Sequence, residues 1–321
     1  MKNIISVLGP TATGKTSFAL TLAQQALKMN FSGVDIISAD SRQVYQGLEV
    51  LSGADIPAGF KKKFENLDKK QFPFFENEKI SIHGVSIIKL DDDWSVAHFK
   101  NFAIEIINTS FMHNRLPIIV GGTGLYHDHI FNRDSNLYVE PNKEVREKAS
   151  SMTVTDIQEW LKKLDSSKLA SMNNSDINNK RRLVRAIEIL LGKPEVKKIS
   201  NLPKNVNNLK ICLSLGLEEI SQKIKDRVVE RLKNNVVSEV KNLNMICQNQ
   251  NFPSCTSLGV SDINSFINHE IDEETCIKNW TLHEFQYAKR QLVWLKKEQQ
   301  IVWLDDLQKY SYTLNNEKIF I

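Results

Sequence analysis

Short apolar runs alternate with amphipathic stretches along the first part of the chain. Residues 4–8 and 34–38 are apolar runs of strand length, whereas residues 16–28 and 95–109 carry apolar side chains at helical spacing, with Ser95 as a candidate N-cap. Strands that alternate with helices build a parallel sheet with helices on both faces. The pattern therefore predicts an α/β fold for this part.

Three further stretches complete the first part of the chain. Residues 85–90 and 117–120 have the length and composition of strands. Residues 59–79 are rich in Lys, Phe and Asn and show little periodicity, so we expect a surface excursion there rather than regular structure.

The composition changes after about residue 132, where charged residues, Asn and Ser become frequent and the pattern turns helical. We interpret residues 135–205 as a mostly helical domain inserted into a core formed by residues 1–134 and 206–321.

The second part of this core begins with a candidate strand at residues 209–215. Two long amphipathic helices are predicted at 218–248 and 272–298, and a short closing strand at 301–304.

The run GPTATGKT at residues 9–16 satisfies the phosphate-binding P-loop pattern G-x-x-x-x-G-K-[ST] and lies between a strand and a helix, as the motif requires. Backbone N–H groups of such a loop point at an anion. Lys15 is placed to hold the terminal phosphates, and Thr16 to hold a Mg²⁺ ion. The motif predicts a P-loop NTPase-like fold that binds a di- or triphosphate, and it does not identify the compound. The predicted phosphate-binding residues are Gly9, Pro10, Thr11, Ala12, Thr13, Gly14, Lys15 and Thr16.

Two other polar segments follow strands of the predicted sheet. Asp40 comes just after the apolar run at 34–38, and Thr123 lies in the Gly-rich run after residues 117–120. Ligands of open α/β sheets bind at the carboxyl ends of the strands. Asp40 is therefore a candidate general base or Mg²⁺ ligand, with a loop-capping Asp as the alternative. Thr123 offers a hydroxyl at the same edge, unless the segment is a plain strand-to-helix turn.

Positive charge is gathered in three clusters, although the net charge of the 321-residue chain is only +4. Guanidinium clusters suit contacts with phosphate or nucleic acid, and a solvated helix face is the alternative. The clusters are Lys180, Arg181, Arg182 and Arg185; Lys223 and Arg227; and Lys289, Arg290, Lys296 and Lys297 with Tyr287 and Trp294 between them.

Cysteine and histidine positions narrow the class of protein. The four cysteines form no C-x-x-C pair, so they predict neither a disulfide framework nor a zinc site and favour a reducing cytosol. The run His127-Asp128-His129 fits no helical pair of metal ligands, and we expect a polar loop there.

The termini and the apolar runs complete the classification. The chain enters its first strand at once, which leaves no room for a signal peptide, and no apolar run approaches a membrane span. We therefore expect a cytoplasmic protein with no membrane partner, and nothing in the sequence demands more than a monomer.

Six segments follow one another in order along nearly the whole chain: GPTATGKT at 9–16, SADSRQVYQGLEV at 38–50, DDDWSVAHFKNFA at 91–103, LPIIVGGTGLY at 116–126, NNKRRLVRAIEI at 178–189 and HEFQYAKRQLVWLKK at 283–297. Together they resemble the tRNA dimethylallyltransferase family, the isopentenyl-transferring enzymes of tRNA. The RRLVRA and AKRQLVWL stretches are the most specific, because other P-loop enzymes lack them.

The resemblance implies that the C5 allylic group of dimethylallyl diphosphate is transferred to the exocyclic N6 of the adenosine on the 3′ side of the anticodon in tRNA. Asp40 matches the family's general base, and Thr123 matches a residue beside the reacting groups. Lys15, Mg²⁺, and Arg227 or Lys223 would neutralise the departing diphosphate.

The acceptor adenine would have to leave the stack of the anticodon loop to reach such a site. By the same resemblance, the helical insert at 135–205 would hold the anticodon stem-loop. By the resemblance, the tRNA-binding residues are Asp40, Ser41, Arg42, Gln43, Thr123, Arg146, Arg181, Arg182, Arg185, Lys289 and Arg290.

The sequence departs from the family pattern at three places. Ala54 stands where the family usually has a lysine, His83-Gly84 replaces a His-His pair, and residues 127–129 are unusual. Lys15, Thr16, Asp40 and Thr123 all match the family pattern, which favours an active enzyme. Three alternatives stay open: an adenylate dimethylallyltransferase that makes cytokinin, a P-loop small-molecule kinase with a nucleoside-triphosphate site, and a non-catalytic RNA-binding homologue.

Overall fold

The computed structural model describes residues 2–54, 56–68, 70–132, 134–194, 201–248, 252–304, 311–314 and 317–320. The chain divides into two compact units, Met1–Phe131 with Ser200–Ile321, and Asn132–Ile199. We call them the α/β unit and the helical unit. Their boundaries lie a few residues before the predicted ones at 134/135 and 205/206.

A mixed eight-stranded sheet organises the α/β unit. The strands are β1 (Lys2–Leu8), β2 (Gly33–Ser38), β3 (Lys61–Leu67), β4 (Lys70–Asn77), β5 (Ile80–His83), β6 (Arg115–Val120), β7 (Val206–Leu213), β8 (Ile301–Leu304), β9 (Ser311–Leu314) and β10 (Glu317–Phe320). The first eight form one sheet in the order β3-β4-β5-β2-β6-β1-β7-β8, and β9 pairs with β10. The strands from β5 to β8 in this order run parallel, as expected, which confirms the predicted α/β class.

The helices are α1 (Lys15–Leu27), α2 (Glu49–Ser52), α3 (Val96–Met112), α4 (Gly124–Phe131), α5 (Lys143–Ser150), α6 (Val154–Leu164), α7 (Ser166–Ser171), α8 (Asn174–Ile177), α9 (Lys180–Leu191), α10 (Leu217–Lys233), α11 (Val236–Cys247), α12 (Val260–Ile267) and α13 (Glu273–Leu295). Short 3₁₀ turns lie at Ser135–Tyr138 and Pro253–Thr256. None of these helices is long and apolar enough to cross a membrane.

Apolar side chains cover both faces of the sheet. On one face Ile5 and Val7 of β1 pack with Leu22 of α1, and on the other Ile4 packs in the cluster that contains Phe99 of α3. Neighbouring residues of a strand point to opposite faces, so one apolar run serves both cores.

The helical unit has an apolar core of its own. Ile157 and Leu161 of α6 pack with Leu183 and Ile187 of α9, at helical spacing on both elements. Side-chain caps begin these helices: the Thr153 side chain accepts from the N–H of Asp156, and α9 is capped by Asn179 in the same way.

Most predicted elements of the α/β unit are confirmed, but the single helix expected at 218–248 is wrong. The chain forms two helices there, because Asn235 takes a left-handed conformation with φ +69° between α10 and α11. Asn is among the residues that adopt this conformation at modest cost.

The two expectations for residues 59–90 are also wrong. Residues 61–77 form an antiparallel hairpin, β3 with β4, at the edge of the sheet. The strand that lies parallel beside β2 is β5 at Ile80–His83, and not residues 85–90. At residues 85–90 the chain makes only an isolated bridge, from Ile88 to Tyr45. Gly84, with φ +82°, ends the strand early.

A disulfide that the cysteine spacing did not predict joins Cys247 to Cys255. The chain folds back after α11, so the two Cα atoms lie 6.1 Å apart although eight positions separate them. Cys212 and Cys276 lie outside this disulfide and are buried.

Candidate active site

Three loops at one edge of the sheet carry the central site residues. They are the P-loop (9–16), the Asp40 loop (39–43) and the Thr123 turn (121–123), which follow β1, β2 and β6. Because β2, β6 and β1 are neighbours, these loops emerge side by side. The Ala39 N–H donates to the Val120 carbonyl at 2.7 Å, and the Gly121 N–H to the Val7 carbonyl at 3.1 Å, so the strand ladder fixes their spacing.

The P-loop backbone forms a concave surface at the start of α1. Ala12 and Gly14 both take left-handed conformations, with φ of +65° and +81°. The Thr13 hydroxyl donates to the Pro10 carbonyl at 2.9 Å and braces the loop. Alternation of this kind makes a nest of N–H groups that binds anions, and Thr16 is exposed beside it.

The ammonium of Lys15 lies inside the P-loop and donates to the Pro10 carbonyl at 2.5 Å. Burial is the main cause that lowers the pKa of Lys15 to about 8. The negative charge of Asp40 opposes this shift only in part, and the positive charge of Arg227 adds to it. An anion bound in the loop would favour the charged form of this lysine.

The carboxylate of Asp40 organises its own loop. One oxygen accepts hydrogen bonds from the N–H groups of Arg42 at 2.8 Å and Gln43 at 3.4 Å. This is the loop-capping role considered from the sequence, and it also fixes the orientation of the carboxylate. Burial first, and then the charge of Asp40, raise the pKa of Tyr126 and of Tyr287, so the two phenols lie within electrostatic range of this carboxylate.

The other polar side chains of the Asp40 loop are held by the α/β unit. The Arg42 guanidinium donates to the Pro253 carbonyl and, at 3.2 Å, to the Thr256 hydroxyl. The Gln43 amide accepts from the Ser38 hydroxyl at 2.8 Å and donates to the Gly53 carbonyl at 3.1 Å. Ser41 is half-buried.

The Thr123 turn leads into α4. The Thr123 hydroxyl oxygen is buried, and Tyr126 stacks on Phe99 with ring centroids 4.1 Å apart. The expected polar loop at 127–129 is wrong, because these residues lie within α4. His127 is buried, and burial lowers the pKa of His127 to about 3, which keeps the ring neutral.

The second basic cluster splits in the structure. Arg227 reaches the P-loop, where it donates to the Thr11 hydroxyl at 3.4 Å. Lys223, one turn earlier on α10, forms an ion pair with Glu219 at 2.9 Å. Of the two cations, only Arg227 contacts a predicted phosphate-binding residue among the described contacts.

The segment around Ala54 keeps positive charge nearby despite lacking a lysine. Ala54 itself is buried among apolar residues. A Cβ on the preceding Gly53 would lie 2.2 Å from an Arg227 nitrogen and 2.5 Å from an Arg231 nitrogen. Two guanidinium groups therefore lie against this glycine.

The third basic cluster lies on the exposed side of α13. The Lys289 ammonium lies 4.4 Å from the centre of the Phe285 ring, and the Arg290 guanidinium 5.7 Å from that of Tyr287. Arg290 also lines a cavity of about 450 Å³ that is bordered by the 3₁₀ turn and the start of α12.

The remaining cations lie in the helical unit. Glu188 accepts from Arg146 at 2.7 Å and from Arg185 at 3.2 Å. Arg182 forms an ion pair with Asp176, and Arg181 is exposed. Glu188 thus pairs with two of these arginines, yet both keep surface exposed to solvent.

Sequence reasoning missed several residues at the sheet edge, above all Gln291. Its amide accepts from the Thr11 N–H at 2.9 Å and donates to the Gly122 carbonyl at 3.0 Å. Tyr126 and Tyr287 were missed as neighbours of Asp40. The only available signal was membership of the LPIIVGGTGLY and HEFQYAKRQLVWLKK segments, because α4 and α13 reach this edge through tertiary packing.

Comparison with known families gives two matches that together cover most of the chain. The sequence model described as IPP transferase matches residues 69–298, and that described as isopentenyl transferase matches residues 2–68. A tRNA dimethylallyltransferase of a Thermoanaerobacter species is 33% identical over 98% of this chain and 95% of its own length.

Solved structures give the same likeness. A full-length tRNA isopentenylpyrophosphate transferase from Bacillus halodurans is 25% identical, with a TM-score of 0.61 over 95% of this chain and 90% of its own. A eukaryotic dimethylallyltransferase acting on tRNA shares the fold, with a TM-score of 0.72, 24% identity, and coverage of 95% of this chain and 74% of its own.

Proposed function

We propose a function from one premise: the chain belongs to the IPP transferase family. In our proposal it transfers the dimethylallyl group of dimethylallyl diphosphate to N6 of the adenosine 3′-adjacent to the anticodon of a tRNA and releases diphosphate. The observation that supports this most directly is the meeting of an anion-binding loop and a fixed carboxylate at one sheet edge.

The donor diphosphate binds in the P-loop in this proposal. Backbone N–H groups of the nest receive its oxygens, and Lys15 and Arg227 neutralise the charge that develops as the C–O bond breaks. The exposed Thr16 hydroxyl at the start of α1 fits a Mg²⁺ ligand, and that ion would add positive charge beside the leaving group.

The acceptor side uses Asp40. Its carboxylate takes the proton that the N6 amine loses as the new C–N bond forms, so the reaction yields the prenylated base, diphosphate and a protonated Asp40. Thr123 lies at the neighbouring turn and contacts the reacting groups in this proposal.

The tRNA substrate explains the basic residues away from the sheet edge. The anticodon stem-loop is held through its phosphates, and the target adenine turns out of the stack. We assign these contacts to the side chains predicted from the sequence: Ser41, Arg42, Gln43, Arg146, Arg181, Arg182, Arg185, Lys289 and Arg290. A monomer acting in the cytoplasm, where tRNA is matured, completes the proposal.

The test is a single-turnover assay with dimethylallyl diphosphate, Mg²⁺ and an unmodified tRNA with an A-rich 3′ side of the anticodon loop, with AMP as the parallel acceptor. Asp40→Asn keeps the oxygen that caps the loop and removes the base. We expect it to lower the transfer rate about 10²- to 10⁴-fold while tRNA binding stays within about twofold.

Asp91→Asn makes the same substitution at an exposed aspartate. It is the matched control and should transfer the dimethylallyl group at the wild-type rate. Transfer to AMP alone would assign the protein to cytokinin synthesis. Phosphate transfer from ATP would make it a kinase, and tRNA binding without transfer to either acceptor would contradict the enzymatic proposal.

A further inference from the structure

Gln291 connects the two loops between which the proposed reaction takes place. It lies on α13 and is 7% exposed. Its side-chain oxygen accepts from the Thr11 N–H at 2.9 Å, and its side-chain nitrogen donates to the Gly122 carbonyl at 3.0 Å. One amide therefore bridges the P-loop and the turn that presents Thr123.

The helix approaches the Thr123 turn so closely that it depends on glycines. A Cβ on Gly122 would lie 2.1 Å from the Gln291 nitrogen, and a Cβ on Gly124 would lie 2.1 Å from the Trp294 ring. Both distances are far below contact distance, so the two glycines and α13 are matched.

The chemistry of the bridge selects glutamine. The bridge needs one acceptor for the Thr11 N–H and one donor for the Gly122 carbonyl, about 3 Å from each. A primary amide supplies both groups without charge, whereas a carboxylate has no donor and an ammonium or guanidinium has no acceptor. A charge at this buried position would also act on Lys15 and Asp40 nearby.

The P-loop contact has a consequence for donor binding. The N–H of Thr11 is directed to Gln291 and is unavailable to an anion in this arrangement. The phosphate is left with the N–H groups of the later loop residues near Ala12 and Gly14, deeper toward α1. Gln291 thus helps to determine where the diphosphate lies relative to the acceptor side.

We propose that Gln291 is a positioning residue that fixes the distance between the diphosphate in the P-loop and the Thr123 turn. The inference rests on the proposed function, since it concerns the alignment of donor carbon and acceptor amine. Both substrates can still bind when the bridge is lost, but a misplacement of about 1 Å lowers the rate of an aligned reaction about 10²-fold.

The test is Gln291→Met, which keeps the length of the side chain and removes both hydrogen bonds. We expect kcat to fall about 10- to 100-fold, with KM for dimethylallyl diphosphate and for tRNA each within about threefold. Amide hydrogen exchange at Thr11 should become faster. Gln299→Met, at an exposed glutamine shortly after the same helix, is the matched control and should leave all three quantities unchanged.

A second variant makes the test specific for the bridge. Gly122→Ala places a methyl group where the amide nitrogen now lies, so it should also lower kcat. Both substitutions break the contact between Gln291 and Gly122. The double variant should therefore be no slower than the slower single variant, whereas independent effects on kcat would multiply. All rates are measured well below the melting temperature of each variant.

Three results would overturn the inference. The first is that Gln291→Met keeps kcat within twofold of the wild type. The second is that its loss of kcat/KM comes entirely from a raised KM for the donor. The third is that the effects of Gln291→Met and Gly122→Ala on kcat multiply in the double variant. If Gln291→Met does not fold, Gln291→Asn, a neutral amide that is one methylene too short to reach both loops, faces the same kcat criterion, and failure of both to fold would make the role purely structural. If the wild type transfers no dimethylallyl group, the proposed function itself fails, and this inference fails with it.

Discussion

Each unit buries one carboxylate that holds two cationic side chains, Asp35 in the α/β unit and Glu188 in the helical unit, but the two sets of cations differ in exposure. Around Asp35 the side chain of Arg115 is 20% exposed and that of His83 only 5%. The Ser110 hydroxyl donates to the same carboxylate at 2.7 Å. This cluster is largely shielded from solvent, and its polar groups are paired with one another.

The partners of Glu188 face solvent instead. The carboxylate side chain is fully buried, yet the side chains of Arg146 and Arg185 are 56% and 32% exposed. Each guanidinium has five N–H groups, so a contact with one carboxylate leaves donors for another anion.

The comparison shows that one arrangement can serve two purposes, depending on burial. The Asp35 cluster links β2, β5 and β6 far from the three site loops, and its effect is on stability. The Glu188 cluster orients arginines that keep part of their surface exposed to solvent, although Arg185 also donates to the Asn136 carbonyl at 3.0 Å, so the main effect of this cluster in our proposal is on tRNA binding.

Removing the Asp35 carboxylate should have the largest effect. Asp35→Asn leaves Arg115 and His83 buried without the negative charge that they share, and it should lower the free energy of unfolding by about 3–5 kcal/mol. Chemical denaturation measures this change. Asp91→Asn is the control, and a loss below about 1 kcal/mol would show that the cluster does not stabilise the α/β unit.

Alkaline pH should weaken the same cluster less, because Arg115 keeps its pair with Asp35. Burial alone would lower the pKa of His83, but hydrogen bonds to Asp35 and Glu65 raise it to about 9. The stabilisation is complete below the unfolded pKa of about 6.5 and is lost as the pH rises through about 9.

Unfolding free energies measured between pH 6 and 10 on the wild type and on His83→Gln test this sign. The difference between the two proteins should shrink as the pH rises. Burial alone would raise the pKa of Glu188, but hydrogen bonds from Arg146, Arg185 and the Asn142 N–H hold it below its usual value. Because arginine also stays protonated, this cluster does not titrate in this pH window. If the difference in unfolding free energy between the wild type and His83→Gln stayed constant from pH 6 to 10, the assignment of this pH dependence to His83 would be contradicted.

Neutralising Glu188 should have the smallest effect on stability and a visible effect on binding. Glu188→Gln keeps one acceptor, and the half-exposed arginines recover hydration, so we expect a loss of about 1–2 kcal/mol. The released arginines lose their orientation, so KM for tRNA should rise about 3- to 10-fold with kcat unchanged.

Steady-state kinetics with tRNA as the varied substrate measure this split. Glu147→Gln, which removes an exposed carboxylate of the same unit, is the control. A fall in kcat with an unaltered KM would place Glu188 outside tRNA binding.

The sequence determined those features that depend on local pattern. Apolar runs of strand length fixed β1, β2 and β6, because burial on both faces leaves no polar alternation. The Gly and Lys positions of the P-loop specified an anion site, and the Ser95 cap marked the start of α3. The hairpin at 61–77 was not predicted, because its sequence shows little strand periodicity. Its two strands form by pairing with each other at the edge of the sheet.

Tertiary structure alone decided which side chains share the site. Sequence spacing placed Asp40 and Thr123 at strand ends, but the strand order β2-β6-β1 put them beside Lys15. Gln291 lies 280 positions from Thr11 and still accepts its N–H, and no periodicity encodes a contact over that distance. The chain's local pattern therefore set the elements and the chemistry of each loop, whereas close packing of distant helices against the sheet edge set the distances on which the proposed reaction depends.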